Sequence, residues 1–144
     1  MPTDFSRAMG NRVQIPKSIL IVLNQLYEVE QKLKKQDDPA SIASIGRNIA
    51  KMKDAFTGEG LTALDAGGGQ IPITLAYEDP MGQQCNDTRT DLAVTISGDG
   101  TGNLVVVEVI KPIIRATWND GAGETSKIVQ QGIVIASRKE QITP

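Results

Sequence analysis

Twelve of the fourteen glycines lie beyond residue 57, and only Gly10 and Gly46 precede it. That distribution divides the chain into a front segment free to form long helices and a back segment punctuated by turns. Apolar residues in the front recur every three or four positions. In the back they alternate, or run together in short β-branched stretches. An α+β chain follows: an N-terminal helical hairpin over residues 17–58, then a small β-domain over residues 59–138, flanked by a flexible arm (1–16) and a tail (139–144). Charge divides with the glycines. The first 57 residues carry nine basic and six acidic side chains, and the remainder six and eleven.

The first helix is expected over residues 17–35, about 28 Å at 1.5 Å per residue, with Pro16 in its first position. Ile19, Leu20, Leu23, Leu26, Tyr27 and Leu33 form its stripe, and lysines crowd its last turn. A break at residues 36–39 follows, where Asp38 can cap the next helix and Pro39 can open it. Ile42, Ile45, Ile49, Met52 and Phe56 then give one stripe, and Gly58 or Gly60 can end the helix. Two such helices on a short loop make an antiparallel hairpin. Ile21, Val22 and Val29 widen the first apolar arc beyond one seam. Either the back half of the chain or a second hairpin must cover them, the latter closing a dimeric four-helix bundle.

In the back half, residues 71–76 read as a strand that Pro72 sends to a sheet edge. Residues 91–97 and 103–115 read as two strands of a hairpin joined by the glycine-rich residues 98–102, and residues 104–107 as a buried central strand. Residues 127–138 read as a last strand, broken or bulged at Gly132. Four to six strands are expected. Gly67, Gly68 and Gly69 read as a flexible turn, and Trp118 as a core anchor or an exposed contact beside a turn.

Chemistry is narrowly bounded. The chain has no histidine, one cysteine, five aromatic residues and a net charge of −2. Histidine-based triads and zinc sites are excluded, a general phosphate-backbone binder is disfavoured, and Cys85 has no disulfide partner within the chain. No apolar run approaches the roughly 20 residues of a membrane span. No leader is visible in the first residues, and a cytoplasmic setting is expected. The repeat Gly98-x-Gly100-x-Gly102 is followed by a strand rather than a helix, so it reads as a turn and not a phosphate loop. The spacing Asp99, Thr101, Asn103 fails as a calcium loop because the twelfth position is Ile110. Glu78/Asp79 and Asp87/Asp91 are acid pairs with no sugar-binding platform around them except Tyr77. Cys85 without a histidine partner reads as buried filler or an idle thiol.

Several segments in this order resemble the GrpE family, the nucleotide exchange factors of DnaK-type chaperones. Residues 17–26 (KSILIVLNQL) are similar to the family's leucine-rich bundle helix, and residues 53–64 (KDAFTGEGLTAL) to its helix end running into the first strand. Residues 82–87 (GQQCND) resemble the family's glycine, two variable residues, phenylalanine, aspartate, proline. Residues 104–111 (LVVVEVIK) match the valine-rich strand with its glutamate, and residues 127–137 resemble the final strand. The chain departs from the family at Cys85, Asp87, Thr90, Ile113-Ile114 and Gln130, the last standing where an arginine often meets the chaperone. Sixteen residues precede the first expected helix, where the family carries a long N-terminal helix.

The resemblance implies a homodimeric co-chaperone with no cofactor and no catalytic residue. Its β-domain would dock on the nucleotide-binding domain of a DnaK-type chaperone and hold the cleft open for ADP to leave. The expected dimer interface is Ile19, Leu23, Leu26, Ile45, Ile49, Met52 and Phe56. The expected partner surface is Asn86, Asp87, Thr88, Arg89, Asp91, Lys111 and Arg115. Two alternatives stand beside it: a dimeric adaptor of the same architecture without exchange activity, and a histidine-free enzyme using Asp87 and Asp91.

Overall fold

A computed structural model describes residues 13–58, 61–65, 67–86, 88–98 and 102–138. It is an α+β structure in which two N-terminal helices precede a set of β-sheets. After a two-residue strand β1 (Val13–Gln14), helix α1 covers Lys17–Lys34 and helix α2 covers Pro39–Thr57. Pro16 stands just before α1 rather than inside it, its carbonyl accepting from the amide of Ile19 at 3.0 Å. Asp38 caps α2, its carboxylate accepting from the Ala40 amide at 3.1 Å and the Ser41 hydroxyl at 2.9 Å, with Pro39 in the first position. Gly58 ends α2, its amide donating to the Asp54 carbonyl.

The helices pack antiparallel. Late in α1, Leu33 approaches early α2 at Gly46, while Glu30 reaches Lys53 near the far end of α2 at 3.4 Å. That ion pair is partly exposed and is worth at most about 1 kcal/mol.

The strands are β2 (Thr62–Asp65), β3 (Gln70–Pro72), β4 (Thr74–Glu78), β5 (Gln84–Cys85), β6 (Leu92–Ser97), β7 (Leu104–Lys111), β8 (Ile113–Asn119), β9 (Glu124–Gln130) and β10 (Gly132–Arg138). They form three sheets, ordered β1-β2-β3, β5-β7-β10-β6 and β4-β8-β9. Among the described residues, nine short strands follow the helices where four to six were expected: three of the four anticipated runs are each cut in two, and the short strands β2 and β5 are additional. The run 71–76 breaks at Ile73, which is buried and donates its amide to the Leu61 carbonyl at 2.9 Å. Pro72 has no amide to continue the ladder, and β3 is indeed an edge strand. The run 103–115 breaks at the buried Pro112 for the same reason. The run 127–138 breaks at Gln131, and its halves enter different sheets.

The expected hairpin across residues 98–102 does not form. Strands β6 and β7 are not neighbours, because β10 lies between them, parallel to β6 and antiparallel to β7. The reason lies in β10 itself. Ile133, Val134, Ile135 and Ala136 make a continuous apolar run with buried or half-buried residues throughout, the pattern of a strand covered on both faces in the interior of a sheet. Trp118 sits within β8, not at a turn, and is buried. The triple-glycine segment is tied rather than loose: the Asp65 carboxylate accepts from the Gly67 and Gly69 amides at 2.9 and 2.8 Å, and its own amide donates to the Gly69 carbonyl.

The chain forms two compact units. The first takes residues up to Ala76 together with Arg115–Lys127, and the second takes Tyr77–Ile114 with residues from 128 onward. Buried apolar residues of the first unit are Leu23, Leu26, Tyr27, Leu33 and Ile49 from the helices, with Ala63, Ile73, Leu75, Ala116 and Trp118 from the strands. The second unit has a core of Leu92, Val106, Ile113 and Val134, against which Cys85, Val109 and Ile128 pack. Gly132 completes it: a Cβ there would lie 2.9 Å from Ile113 Cγ1 and 3.0 Å from Leu92 Cδ2. Only a residue without a side chain fits that approach.

Candidate partner-binding surface

In the second unit, the segment between β4 and β6 is held in place by backbone and side-chain bonds. The Asp79 carboxylate accepts from the Met81 amide, and Gln83 donates its amide to the Pro80 carbonyl. Gly82, at φ +78°, gives its amide to the Val106 carbonyl, and the Val106 amide returns a bond to the Gln83 carbonyl. A left-handed turn thus lays residues 82–83 alongside β7, just before β5 pairs with it.

Arg89 is the hub of the next turn. Its Nε and Nη2 donate to the two Asp91 carboxylate oxygens at 2.9 and 3.0 Å, and its Nη1 donates to Gln83 Oε1 at 3.0 Å and the Gln84 carbonyl at 3.2 Å. A planar guanidinium has the fork geometry for such a bidentate pair. Hydrogen bonding to Asp91, foremost, holds Arg89 still further above its ordinary range. Asn86 caps this turn by accepting from the Thr88 amide and hydroxyl. Asp87 lies outside the described residues. Of the expected partner surface, Asn86 and Thr88 are exposed, while Arg89 and Asp91 are half-buried and spend their charges on each other. Lys111 is exposed at the end of β7, and Arg115 is half-buried in β8, in the first unit.

These bonds bear on the enzymatic alternative. Both Asp91 carboxylate oxygens are engaged by Arg89 in charge-assisted bonds. Burial pushes the Cys85 thiol up, outweighing the opposing effect of Arg89, so it is a weak nucleophile at neutral pH. Among the described residues, no group of three or more acidic, cysteine or histidine side chains could hold a metal. A small cavity of about 250 Å³ in the first unit is lined by Gln14, Ile15, Pro16, Thr62, Ala63, Leu64 and Gln70, none of them titratable.

Several of the positions named above as departures make interior contacts or bonds across strand breaks. Ile113 and Ile114 are fully buried. Gln130 donates from Nε2 to the Pro112 carbonyl at 2.9 Å, and Gln131 donates to the Thr90 carbonyl at 2.9 Å, so both glutamines stitch the strand breaks together.

The sequence reading missed the exposed apolar residues of β7. Across its pairing with β10, Val106 faces Ala136 and Glu108 faces Ile135, then Val109 faces Val134 and Lys111 faces Ile133. Val107 and Ile110 are the unpaired residues of two bulges, and they stand 46% and 50% exposed. A bulge re-aims its extra side chain out of the regular alternation. Nothing in the run LVVVEVIK marks where it will bulge, since that depends on the partner strand. Met81, 53% exposed, adds to the accessible apolar surface of this unit.

The expected dimer residues divide. Leu23, Leu26 and Ile49 are buried within the chain itself, Ile19 and Phe56 are half-buried, and Ile45 and Met52 are 41% and 45% exposed. Ile21, Val22 and Val29 are exposed as well, at 61%, 48% and 42%. Much of the seam is therefore spent within the chain, and five apolar residues of the same hairpin remain exposed. Among the described residues, no helix is long and apolar enough to cross a membrane. No protein-family model, curated protein or solved structure matches this chain.

Proposed function

We propose that this chain is a co-chaperone of the nucleotide-exchange type, resembling GrpE, which docks its second unit on the nucleotide-binding domain of a DnaK-type chaperone and favours the open cleft from which ADP leaves. The observation that carries the reading is β7. The segment with the closest likeness to the family's valine-rich strand anchors itself through Val106 and turns Val107, Glu108, Ile110 and Lys111 outward, a mixed apolar and charged surface suited to protein docking. The order of helical hairpin before β-unit supports it too. Such a factor needs no reactive group. It has only to bind the open chaperone more tightly than the closed one, each 1.4 kcal/mol of preference shifting the equilibrium about tenfold.

In this reading the protein works in the cytoplasm as a homodimer, its second hairpin covering the stripe of Ile21, Val22, Val29, Ile45 and Met52. Release of a fluorescent ADP analogue from a DnaK-type chaperone tests the activity. Acceleration that is lost in the double variant Val107→Asp, Ile110→Asp is expected; equal rates with and without the protein, for chaperones of the same genome, would refute exchange activity.

One observation favours the adaptor alternative. Gln130, at the arginine position of the family, gives its amide to Pro112 instead of offering a cation to a partner. Binding to the chaperone without faster ADP release is the outcome that selects the adaptor.

A further inference from the structure

Strand β6 ends its sheet. Among the described residues it pairs only with β10, through six consecutive parallel partners from Gly132 opposite Leu92 to Ser137 opposite Ser97, with no register shift. Its outer edge therefore carries backbone donors and acceptors that no described strand takes up. Proteins ordinarily blunt such an edge with a lysine, a proline, a bulge or brevity. The opposite end of the same sheet is a strand of two residues, and the edge strand β3 contains Pro72. The six residues of β6, LAVTIS, have no charge, no proline and no bulge. Residues 93–97 are exposed, Val94 by 39% and Ile96 by 48%.

We propose that this edge is a self-association site, at which a second copy of the chain adds its own β6 antiparallel about a two-fold axis at Val94. The inference is independent of the exchange-factor reading and of any contact through the hairpin.

The strand's own pattern selects a copy of itself. Leu92, Val94 and Ile96 share one face with the buried Gly132, Val134 and Ala136, while Ala93, Thr95 and Ser97 share the other. A two-fold at Val94 sets Val94 opposite Val94 and Leu92 opposite Ile96, so apolar side chains meet on one face. On the other face Ala93 meets Thr95. Cross-strand pairs of this kind stabilise a sheet, and like charges set opposite each other destabilise it. Asp91 would fall opposite Ser97 and already has its charge held by Arg89. An axis at Ala93 would leave Ile96 opposite Thr90, and one at Thr95 would leave Leu92 opposite Gly98; the axis at Val94 is the one that pairs all three apolar residues of the face with one another. The result is a continuous eight-stranded sheet, β5-β7-β10-β6 followed by its mirror order. A single strand pair covers less area than the roughly 1,200 Å² of a stable complex, so a weak, concentration-dependent dimer is expected.

The test uses the full chain with Cys85→Ser and a single new cysteine. Under mild oxidation Val94→Cys should form a disulfide-linked dimer at least tenfold faster than Ser97→Cys, whose two copies would lie far apart. Adding Ile96→Lys, which puts a cation opposite Leu92, should abolish the difference, and Val22→Asp on the hairpin should leave it intact. Equal rates at positions 94 and 97, or insensitivity to Ile96→Lys, would overturn the proposal. Sedimentation of the unmodified protein gives a second reading without cysteines: a mass rising with concentration and flattened by Ile96→Lys supports it, and a monomer up to millimolar concentration overturns it.

Discussion

Two glycines in this chain have opposite reasons to be glycine. At Gly132 a Cβ would press on Ile113 and Leu92 at 2.9 and 3.0 Å, both side chains in the core of the second unit. Gly132→Ala should therefore cost about 1–3 kcal/mol in urea unfolding, as overpacking does. At Gly46, inside α2, the nearest heavy atom to a new Cβ is Leu33 Cδ2 at an ordinary 3.8 Å. Gly46→Ala should stabilise by about 0.5–1 kcal/mol through lower chain entropy. Arg89 tests a different kind of dependence. Arg89→Lys keeps the charge but loses the fork that reaches Asp91, Gln83 and Gln84 together, so it should lose most of the roughly 1–2 kcal/mol that Arg89→Ala loses. Asp38 adds a pH dependence. The Ser41 hydroxyl, then the Ala40 amide, hold its carboxyl below the usual range. Because the folded value is the lower one, its stabilisation is complete above the unfolded value of about 4 and disappears as pH falls through the folded value. The stability gap between wild type and Asp38→Ala should be constant near neutrality and close in acid, as followed by unfolding midpoints from pH 7 to 2.

Elements were legible in proportion to how local their causes are. Both helices, the Asp38 cap, the Pro39 start and the Gly58 end could be read directly, because a 3.6-residue stripe and a capping side chain act within a few residues. Strand breaks could have been read more fully. Pro72 and Pro112 each lack the amide that a longer strand requires, and a stricter use of that fact would have split both runs. Pairing was not legible. The glycine loop at 98–102 has the composition of a hairpin turn, yet β10 outcompetes β7 for the side of β6, and a contact between residues forty apart leaves no local mark. The hairpin gives an expectation of its own. Leu26 is buried in the chain, so Leu26→Asp should unfold the first unit, whereas Val22 is 48% exposed and Val22→Asp should leave circular dichroism unchanged. If the exposed apolar residues of the hairpin are the dimer face, Val22→Asp should reduce the sedimenting mass to that of a monomer at low micromolar concentration, below the weak association proposed for β6; an unchanged dimer there would place the hairpin contact elsewhere.

For the whole molecule, the absence of histidine and the poverty in aromatic residues narrow the chemistry that side chains can supply; Asp91 is paired with Arg89, and burial raises the Cys85 thiol. The candidate surface divides in the same way. The segment 86–91 could be found in the sequence, but only the fold reveals that Arg89 turns inward, that Gln83 and Gln84 hold it, and that Val107 and Ile110 are put out by bulges. By itself the sequence determined where helix gives way to strand, which positions cap and break each element, and which chemistries have no side chains to perform them, because each of these follows from residues close together along the chain. The tertiary structure alone decided which strands are neighbours, which half of each apolar stripe is spent internally and which edge stays open. Those outcomes depend on a competition among distant segments for the same hydrogen bonds and the same buried volume, and no single segment encodes its result.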